Sequence, residues 1–96
     1  MSAELEEVTA QIIELLTHTG HSDRADWMAE RLRTLRDAQA TPDAREFVAT
    51  ELHGVVLGMG GLMDMVLRPD DDIGISSVQA RDQLDGLADR LYDLTR

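Results

Sequence analysis

The side chains with the clearest chemical potential in this sequence are carboxylates near its C-terminal end. At about 100° per residue, the aspartates after residue 75 fall on one side of a helix, opposite a row of leucines. These aspartates are Asp82, Asp85, Asp89 and Asp93. Like-charged pairs four residues apart destabilise a helix by about 0.2–0.5 kcal/mol each. Such a charged face either keeps a small protein soluble or binds a basic partner, and both interpretations stay open.

Three consecutive aspartates, Asp70-Asp71-Asp72, form a second acidic group. We expect them, together with the aspartates of the C-terminal stretch, to contact a partner. The same group invites comparison with a calcium-binding loop. An EF-hand loop counted from Asp70 requires glycine at its sixth position and glutamate at its twelfth, whereas this chain has Ile75 and Arg81 there. The EF-hand interpretation fails, and only weak divalent binding by neighbouring carboxylates stays open.

The histidines do not predict a metal centre. His18 and His21 lie near Asp23 at the first expected inter-helix turn, and His53 is distant from them in the sequence. Their spacing lacks the His-Glu-x-x-His pattern that places two ligands on one helix face. Polar loop side chains, with His18 near a helix end, are the simpler interpretation. We predict no metal site and no cofactor.

Covalent catalysis is not predicted either. The chain has no cysteine, which excludes a thiol nucleophile, a disulfide framework and a cysteine-based zinc site. Four hydroxyl residues are expected to cap helices, and no strand-turn-helix context presents a nucleophile. The expected caps are Ser2, Ser22, Thr41 and Ser76. We predict that the protein is not an enzyme and has no catalytic residues.

The overall charge narrows the classes of partner. The chain has 96 residues, with 19 acidic side chains against 9 basic ones, all arginine, and a formal charge of −10. Nucleic acids and anionic membranes bind to basic patches, so neither is expected as a partner. The N-terminus is acidic where a signal peptide is basic, and the apolar stretch 55–67 is too short to span a bilayer. We expect one cytoplasmic domain over residues 1–96.

Apolar residues recur at helical spacing through most of the chain, and no segment shows the period of a strand. Thr41 before Pro42 predicts an N-cap with proline at the first helical position, and Ser76 with Gln79 matches a capping box. The predicted fold is all-α, a compact bundle of four main helices with a glycine-rich kink after the third. The helices are expected over 2–18 and 22–39, from Thr41 to Gly58, and from Ser76 to about Leu94.

The glycine-rich stretch Gly58-Met59-Gly60-Gly61 interrupts the third helix. It lacks the Lys-Ser/Thr of a phosphate-binding loop and the preceding strand of a dinucleotide-binding motif. We interpret it as a tight turn that lets two helical segments pack closely. The residues from Leu62 to Leu67 should then form a short apolar helix or turn. Asp64 either caps that segment or is presented to a partner.

Two apolar sets leave other functions open. The fourth helix has a narrow seam of the coiled-coil kind, which serves either the intramolecular core or a homodimer. The seam consists of Ala80, Leu84, Leu87, Leu91 and Leu94. Methionines adapt to many shapes, so four of them either fill the core or line a pocket for a small regulatory ligand. These are Met28, Met59, Met63 and Met65.

Two patches resemble a family of small, uncharacterised bacterial helical proteins. The segment Asp26-Trp27-Met28-Ala29-Glu30-Arg31-Leu32 is similar to the Trp-centred second helix of that family. The segment Gly58-Met59-Gly60-Gly61-Leu62-Met63-Asp64-Met65 is similar to its second hallmark, G-M-G-S-x-N-D-L. The matches are Gly58, Met59, Gly60 and Asp64, and the departures are Gly61, Met63 and Met65.

The resemblance covers roughly residues 5–95 and implies a small helical protein. Some members are encoded beside polymorphic or contact-dependent toxins, which implies an immunity protein that neutralises a toxin by tight binding. The residues themselves indicate that Trp27 packs between helices and that the glycines permit close approach. We predict a non-catalytic, acidic module that masks a basic surface or active site of a cognate toxin. The alternatives are a homo-oligomerisation module and a small-ligand domain.

Overall fold

Four α-helices make up most of the molecule. A computed structural model of the chain describes residues 3–58 and 60–96, and these contain four α-helices, one short 3₁₀ turn and no strand. The helices are α1 (Ala3–Thr17), α2 (Ser22–Arg36), α3 (Pro42–Leu57) and α4 (Ser77–Leu94), and the 3₁₀ turn is Leu62–Asp64. This confirms the predicted all-α bundle. The expected cap Ser2 and the motif residue Met59 lie outside the described residues.

The starts of α3 and α4 follow the predicted capping chemistry. The Thr41 hydroxyl accepts a hydrogen bond from the Ala44 amide at 3.1 Å. At α4, the Ser76 hydroxyl accepts from the Gln79 amide at 3.1 Å, and the Gln79 side chain accepts from the Ser76 amide at 2.9 Å. Each bond satisfies a backbone donor that has no partner inside its helix. Both predicted N-caps are confirmed.

α2 begins at the predicted residue 22, but its N-cap differs from the prediction. Ser22 is the first residue of the helix, and the N-cap position belongs to His21, which makes no capping hydrogen bond. Gly20 has φ +86°, and the His21 amide donates to the Leu16 carbonyl at 3.0 Å. This left-handed turn, which glycine adopts without strain, closes α1 tightly, and the N-cap of α2 lies one residue nearer the N-terminus than predicted. The helix also ends at Arg36 rather than residue 39.

The core lies among all four helices. Arg90 near the end of α4 pairs with Glu4 near the start of α1, so these two helices run antiparallel. Each buried leucine or isoleucine contributes about 1.5–3 kcal/mol relative to an exposed one. The largest side chains with almost no exposed surface are Leu5, Ile12, Leu16, Met28, Leu52, Leu62, Leu84 and Leu91. No described helix combines the length and the apolar character that a membrane span requires.

The leucine seam of α4 faces this core. Ala80, Leu84 and Leu91 have no exposed surface, and Leu87 and Leu94 pack partly buried against the same cluster. The seam therefore serves the intramolecular core. Its buried members, Ala80, Leu84 and Leu91, are not available to a second copy of the chain.

Phe47 does not join the core, although the sequence pattern predicts that it shares one apolar side of the third helix with Val48 and Leu52. Its side chain is 66% exposed, whereas Val48, Leu52 and Val56 are buried. At 100° per residue, Phe47 points roughly 120° away from the centre of the buried face of α3. The valines and Leu52 determine which side of α3 packs, and Phe47 stays on the surface.

The glycine-rich stretch ends α3 rather than bending it. The helix stops at Leu57, and the Gly61 amide donates to the Gly58 carbonyl at 2.7 Å to close a tight turn. A Cβ on Gly61 would clash with the Val55 carbonyl and lie 2.7 Å from that of Gly58. Gly60 has φ +74°, which a side chain rarely permits. The predicted close approach is confirmed at Gly61, and the 3₁₀ turn follows directly.

Candidate protein-binding surface

The four aspartates predicted on α4 separate into two kinds. Asp82 and Asp89 are exposed and make no ion pair with any residue in the described ranges. Asp85 is half-buried and pairs with Arg81 at 2.8 Å, and Asp93 pairs with Arg96 at 2.9 Å. The acidic face is therefore partly neutralised by arginines of α4 and of the residues that follow it. Asp82 and Asp89 have the carboxylates that are free to meet a partner.

Arg81 gives Asp85 a structural role that is not apparent from the sequence. Its guanidinium donates to the Met65 carbonyl at 2.9 Å and to the Leu62 carbonyl at 3.0 Å. The same group donates through Nε to Asp85 at 2.9 Å. Arg81 thus ties the 3₁₀ turn and the residue after it to α4, and Asp85 holds its guanidinium in place. The spacing of four residues signalled the Arg81–Asp85 pair, but nothing local signalled the distant carbonyls.

The Asp70–Asp72 loop is held against the corner between α1 and α2. The Asp70 amide donates to the His18 carbonyl at 2.8 Å, and the Arg68 amide donates to the Thr19 carbonyl at 3.0 Å. The carboxylate of Asp70 also accepts from the amides of Asp72 and Ile73, both at 3.1 Å. Asp70 is therefore engaged in shaping its own loop. Asp71 and Asp72 are exposed beside it.

Two histidines, His18 and His21, join the corner between α1 and α2 to residues 66–70, and we call this pair of contacts the histidine clasp. The His18 imidazole donates through Nδ1 to the Asp70 carboxylate at 2.9 Å. The His21 imidazole donates through Nε2 to the Val66 carbonyl at 2.7 Å. The hydrogen bond to Asp70 raises the pKa of His18, and the hydrogen bond from His18 lowers the pKa of Asp70. The interaction is therefore strongest when both groups are charged.

Loss of this clasp is expected to affect stability in a pH-dependent way. Folding raises the pKa of His18 above its unfolded-state value of 6.5. The contribution of His18 to the free energy of unfolding is therefore complete below pH 6.5 and is lost as the pH rises through the pKa of the folded state. Folding lowers the pKa of Asp70, so the contribution of Asp70 to the free energy of unfolding is lost only as the pH falls below 3.8. His18→Gln should therefore destabilise the protein most near pH 5 and least near pH 9, measured by urea unfolding.

The double variant provides the control for this prediction. In an Asp70→Asn background, His18→Gln should add little further pH dependence between pH 5 and 9, because the partner charge is gone. Asp72 and Glu14 also raise the pKa of His18 by their negative charges. A small dependence of the free energy of unfolding on pH should therefore remain. If His18→Gln changed the pH dependence of unfolding equally with and without Asp70, the His18–Asp70 interaction would not be the cause of that dependence.

The same residues include a candidate metal-ligand cluster. In the described part of the chain, His18, Asp70 and Asp72 each offer a ligand atom, and these atoms lie within 4.8 Å of one another. The sequence grouped His18 with His21 and Asp23, whereas folding brings His18 to the acidic loop instead. The clasp and the turn around Asp70 already account for this arrangement by hydrogen bonding. The absence of a metal site therefore stays a prediction.

A groove lies between α1 and α4 beside the unpaired Asp82. Its volume is about 560 Å³, within the range of ligand-binding clefts. Leu15, Ile73 and Leu87 provide apolar surface, and Gly86 has no side chain to occupy the space at its position in the α4 wall. The complete lining is Gln11, Glu14, Leu15, Ile73, Asp82, Gln83, Gly86 and Leu87. The sequence did not reveal this groove, because its two walls are far apart in the chain.

The described residues of the two patches that carry the resemblance lie on α2 and in the turn that follows α3. Trp27 is partly buried against the core, with the guanidinium of Arg31 4.0 Å and that of Arg24 5.5 Å from its ring centre. Arg31 also pairs with Glu51 of α3 at 3.3 Å. These contacts place Trp27 at the boundary between α2 and α3, consistent with the structural role inferred for it.

Asp64 closes the turn that precedes it. Its carboxylate accepts a hydrogen bond from the Gly60 amide at 3.3 Å, across the start of the 3₁₀ turn. The N-cap position of the 3₁₀ turn is Gly61, which has no side chain to form a capping hydrogen bond. Asp64 thus acts in the capping manner considered from the sequence, although it reaches back from the third position of the turn. Its side chain is also exposed.

Among the described residues of this set, Met28, Met63 and Met65 do not gather around one pocket. Met28 lies in the core with no exposed surface, whereas Met63 is 40% exposed. Met65 is partly buried beside the 3₁₀ turn. Met28 and Met65 therefore act as core filling, the more common use of methionine at helical spacing, and Met63 lies on the surface.

Comparison with known proteins returns no relative. No protein-family model matches the chain, no curated protein matches it, and no solved structure matches it. The function proposed below therefore depends on the fold, the charges and surface of this chain, and the resemblance of its two sequence patches.

Proposed function

We propose that this protein is a non-catalytic module that binds a basic protein through the acidic side of α4. The observation that carries the proposal is the pair of exposed, unpaired carboxylates of Asp82 and Asp89, beside a groove with an acidic rim. The formal charge of −10 adds a long-range attraction for positively charged proteins. Complementary charge speeds encounter and selects among partners.

The helix itself supports a role for these aspartates beyond folding. Asp85 and Asp93 have ion-pair partners in Arg81 and Arg96, so their charges are offset locally. Asp89 lies four residues from both Asp85 and Asp93, an arrangement that disfavours the helix. Neither Asp82 nor Asp89 receives an ion pair in the described structure that would offset this cost. A bound cationic partner would provide such an ion pair.

The resemblance to toxin-associated bacterial proteins specifies the partner further. We infer that the basic protein is the toxin domain of a bacterial competition system and that this chain acts as its immunity protein. Binding would cover a basic active site or substrate groove of the toxin, in the cytoplasm of the cell that makes both proteins. Trp27 and the glycine-rich turn, which carry the resemblance, would then stabilise the scaffold rather than contact the toxin.

Identification of the partner is the first test. The tagged protein is used to capture binding proteins from source-cell lysate at low and at high salt, with identification by mass spectrometry. We expect one basic, toxin-like protein that is retained at low salt and weakened or lost at high salt. Capture of an acidic protein, or no capture from cells shown to express the neighbouring genes, would argue against this function.

Charge reversal then locates the binding face. Asp82→Arg with Asp89→Arg should slow association with the captured partner by about tenfold or more at low salt, because steering depends on these charges. Association rates are measured by surface plasmon resonance across a salt series. The difference should shrink as salt increases.

A matched pair of reversals on other helices serves as control. Asp26 of α2 and Glu46 of α3 are exposed, and Asp26→Arg with Glu46→Arg changes the total charge by the same amount. This control should slow association only slightly. If both double variants slow association equally, net charge alone drives binding and α4 is not the interface.

A further inference from the structure

We infer that the groove between α1 and α4 is the site where an arginine side chain of the basic partner inserts. This inference depends on the proposed function and specifies which chemical group of the partner is recognised. The groove combines an apolar floor with carboxylates from both of its walls, which matches the aliphatic stem and cationic end of arginine. The following observations support this assignment.

The floor provides apolar contact for a side-chain stem. Leu15 is buried under the groove, and Ile73 and Leu87 are partly buried at its edges. Burial of methylene groups against such surface is favourable in proportion to the area removed from water. Since the groove has a volume of about 560 Å³, it admits a complete long side chain together with neighbouring groups.

The rim provides oxygen acceptors for a guanidinium. Glu14 of α1 and Asp82 of α4 are both exposed at the groove, with the amides of Gln11 and Gln83 on the same two helices. Asp82 pairs with none of the described arginines, and Glu14 pairs with none of them either. Arginine presents five N–H donors in a planar fork that suits carboxylates. The charge of the rim therefore selects a cationic occupant and repels a second copy of this acidic chain.

Gly86 keeps the groove open. It lies in the interior of α4, where glycine is less favourable than alanine. A Cβ at this position would meet no atom within 4 Å, and its φ is not positive. Neither packing nor backbone conformation therefore requires glycine here. The consequence of the missing side chain is space beside Leu87 and Asp82.

A small peptide tests the recognised chemistry directly. The probe is a leucine–arginine–leucine peptide capped at both ends, titrated into ¹⁵N-labelled protein, with the neutral citrulline analogue as its control. We expect chemical-shift changes concentrated at residues 11–15 and 82–87, and binding by the citrulline peptide at least tenfold weaker. Shifts spread over all acidic segments, or equal binding of both peptides, would overturn the inference.

Filling the groove tests the geometry. Gly86→Met should weaken binding of the arginine peptide by at least tenfold, and Gly86→Ala should weaken it less, while helicity measured by circular dichroism is retained. Gly54→Met is the matched control, because Gly54 is an interior glycine of α3 that also has open space around it. Equal affinities for Gly86→Met and Gly54→Met would overturn the inference.

The same variants separate this inference from the proposed function. With the captured partner, loss of binding on both Gly86→Met and the Asp82/Asp89 reversal supports both statements. Loss on the reversal alone retains the acidic interface and rejects the groove. Retention of binding by both variants rejects the interface and the groove together.

Discussion

Arg81→Met should lower the free energy of unfolding by about 2–3 kcal/mol. Methionine keeps most of the apolar stem of arginine but removes the donors to the Leu62 and Met65 carbonyls. Leu62 is fully buried, so the carbonyls near it have limited access to water when their donor is lost. For a domain of this size, the change corresponds to a decrease in Tm of about 10–20 °C, measured by calorimetry.

A second arginine of α4 provides the comparison for Arg81. Arg90 is half-exposed and pairs with Glu4 on the surface, so Arg90→Met should cost less than about 1 kcal/mol. Asp85→Asn should have an intermediate effect, because it loosens Arg81 without removing its donors. A double-mutant cycle with Arg81→Met should show coupling between the two residues. Equal losses for Arg81→Met and Arg90→Met would contradict the role assigned to Arg81.

Gly61→Ala should also destabilise the protein by about 2–3 kcal/mol, because the added methyl group has no room. It would clash with the Val55 carbonyl and lie 2.7 Å from the Gly58 carbonyl, both of which belong to the backbone. A flexible side chain could move aside, but backbone can do so only if the end of α3 opens. The measurement is urea unfolding, with retention of helicity checked by circular dichroism.

Gly54→Ala is the control for this substitution. Gly54 lies within α3, and a Cβ there would meet no atom within 4 Å. Alanine should therefore stabilise α3 by about 0.5–1 kcal/mol, because it restricts the unfolded chain and favours the helix. Opposite signs for the two glycines are expected. A stabilising Gly61→Ala would show that the turn is looser than its backbone contacts indicate.

The two kinds of aspartate on α4 determine how binding experiments are designed. Substitution of Asp85 removes a partner of Arg81 and disturbs the fold, so loss of binding by an Asp85 variant would not identify an interface. Asp82 and Asp89 lack such ties in the described structure, and their substitution reports on the surface itself. From the sequence, all four aspartates had the same status.

Several elements of the fold were predictable because their causes are local. Thr41 before Pro42 and the Ser76–Gln79 box act on amides within three residues, so both N-caps were predicted correctly. The N-cap of α2 was not, because its position depends on the left-handed turn at Gly20 and on the hydrogen bond from His21 to Val66. Phe47 was misplaced because the neighbouring valines and Leu52, rather than hydrophobicity alone, decide which face of α3 is buried.

The sequence by itself determined the all-α class, the acidic charge and the glycine-rich break after α3. These follow from composition and from spacing within one or two helical turns. Only the tertiary structure decided that His18 meets Asp70, that Arg81 reaches the 3₁₀ turn, and that Glu14 and Asp82 border one groove. These residues are far apart along the chain, and their proximity arises from how the helices pack against one another.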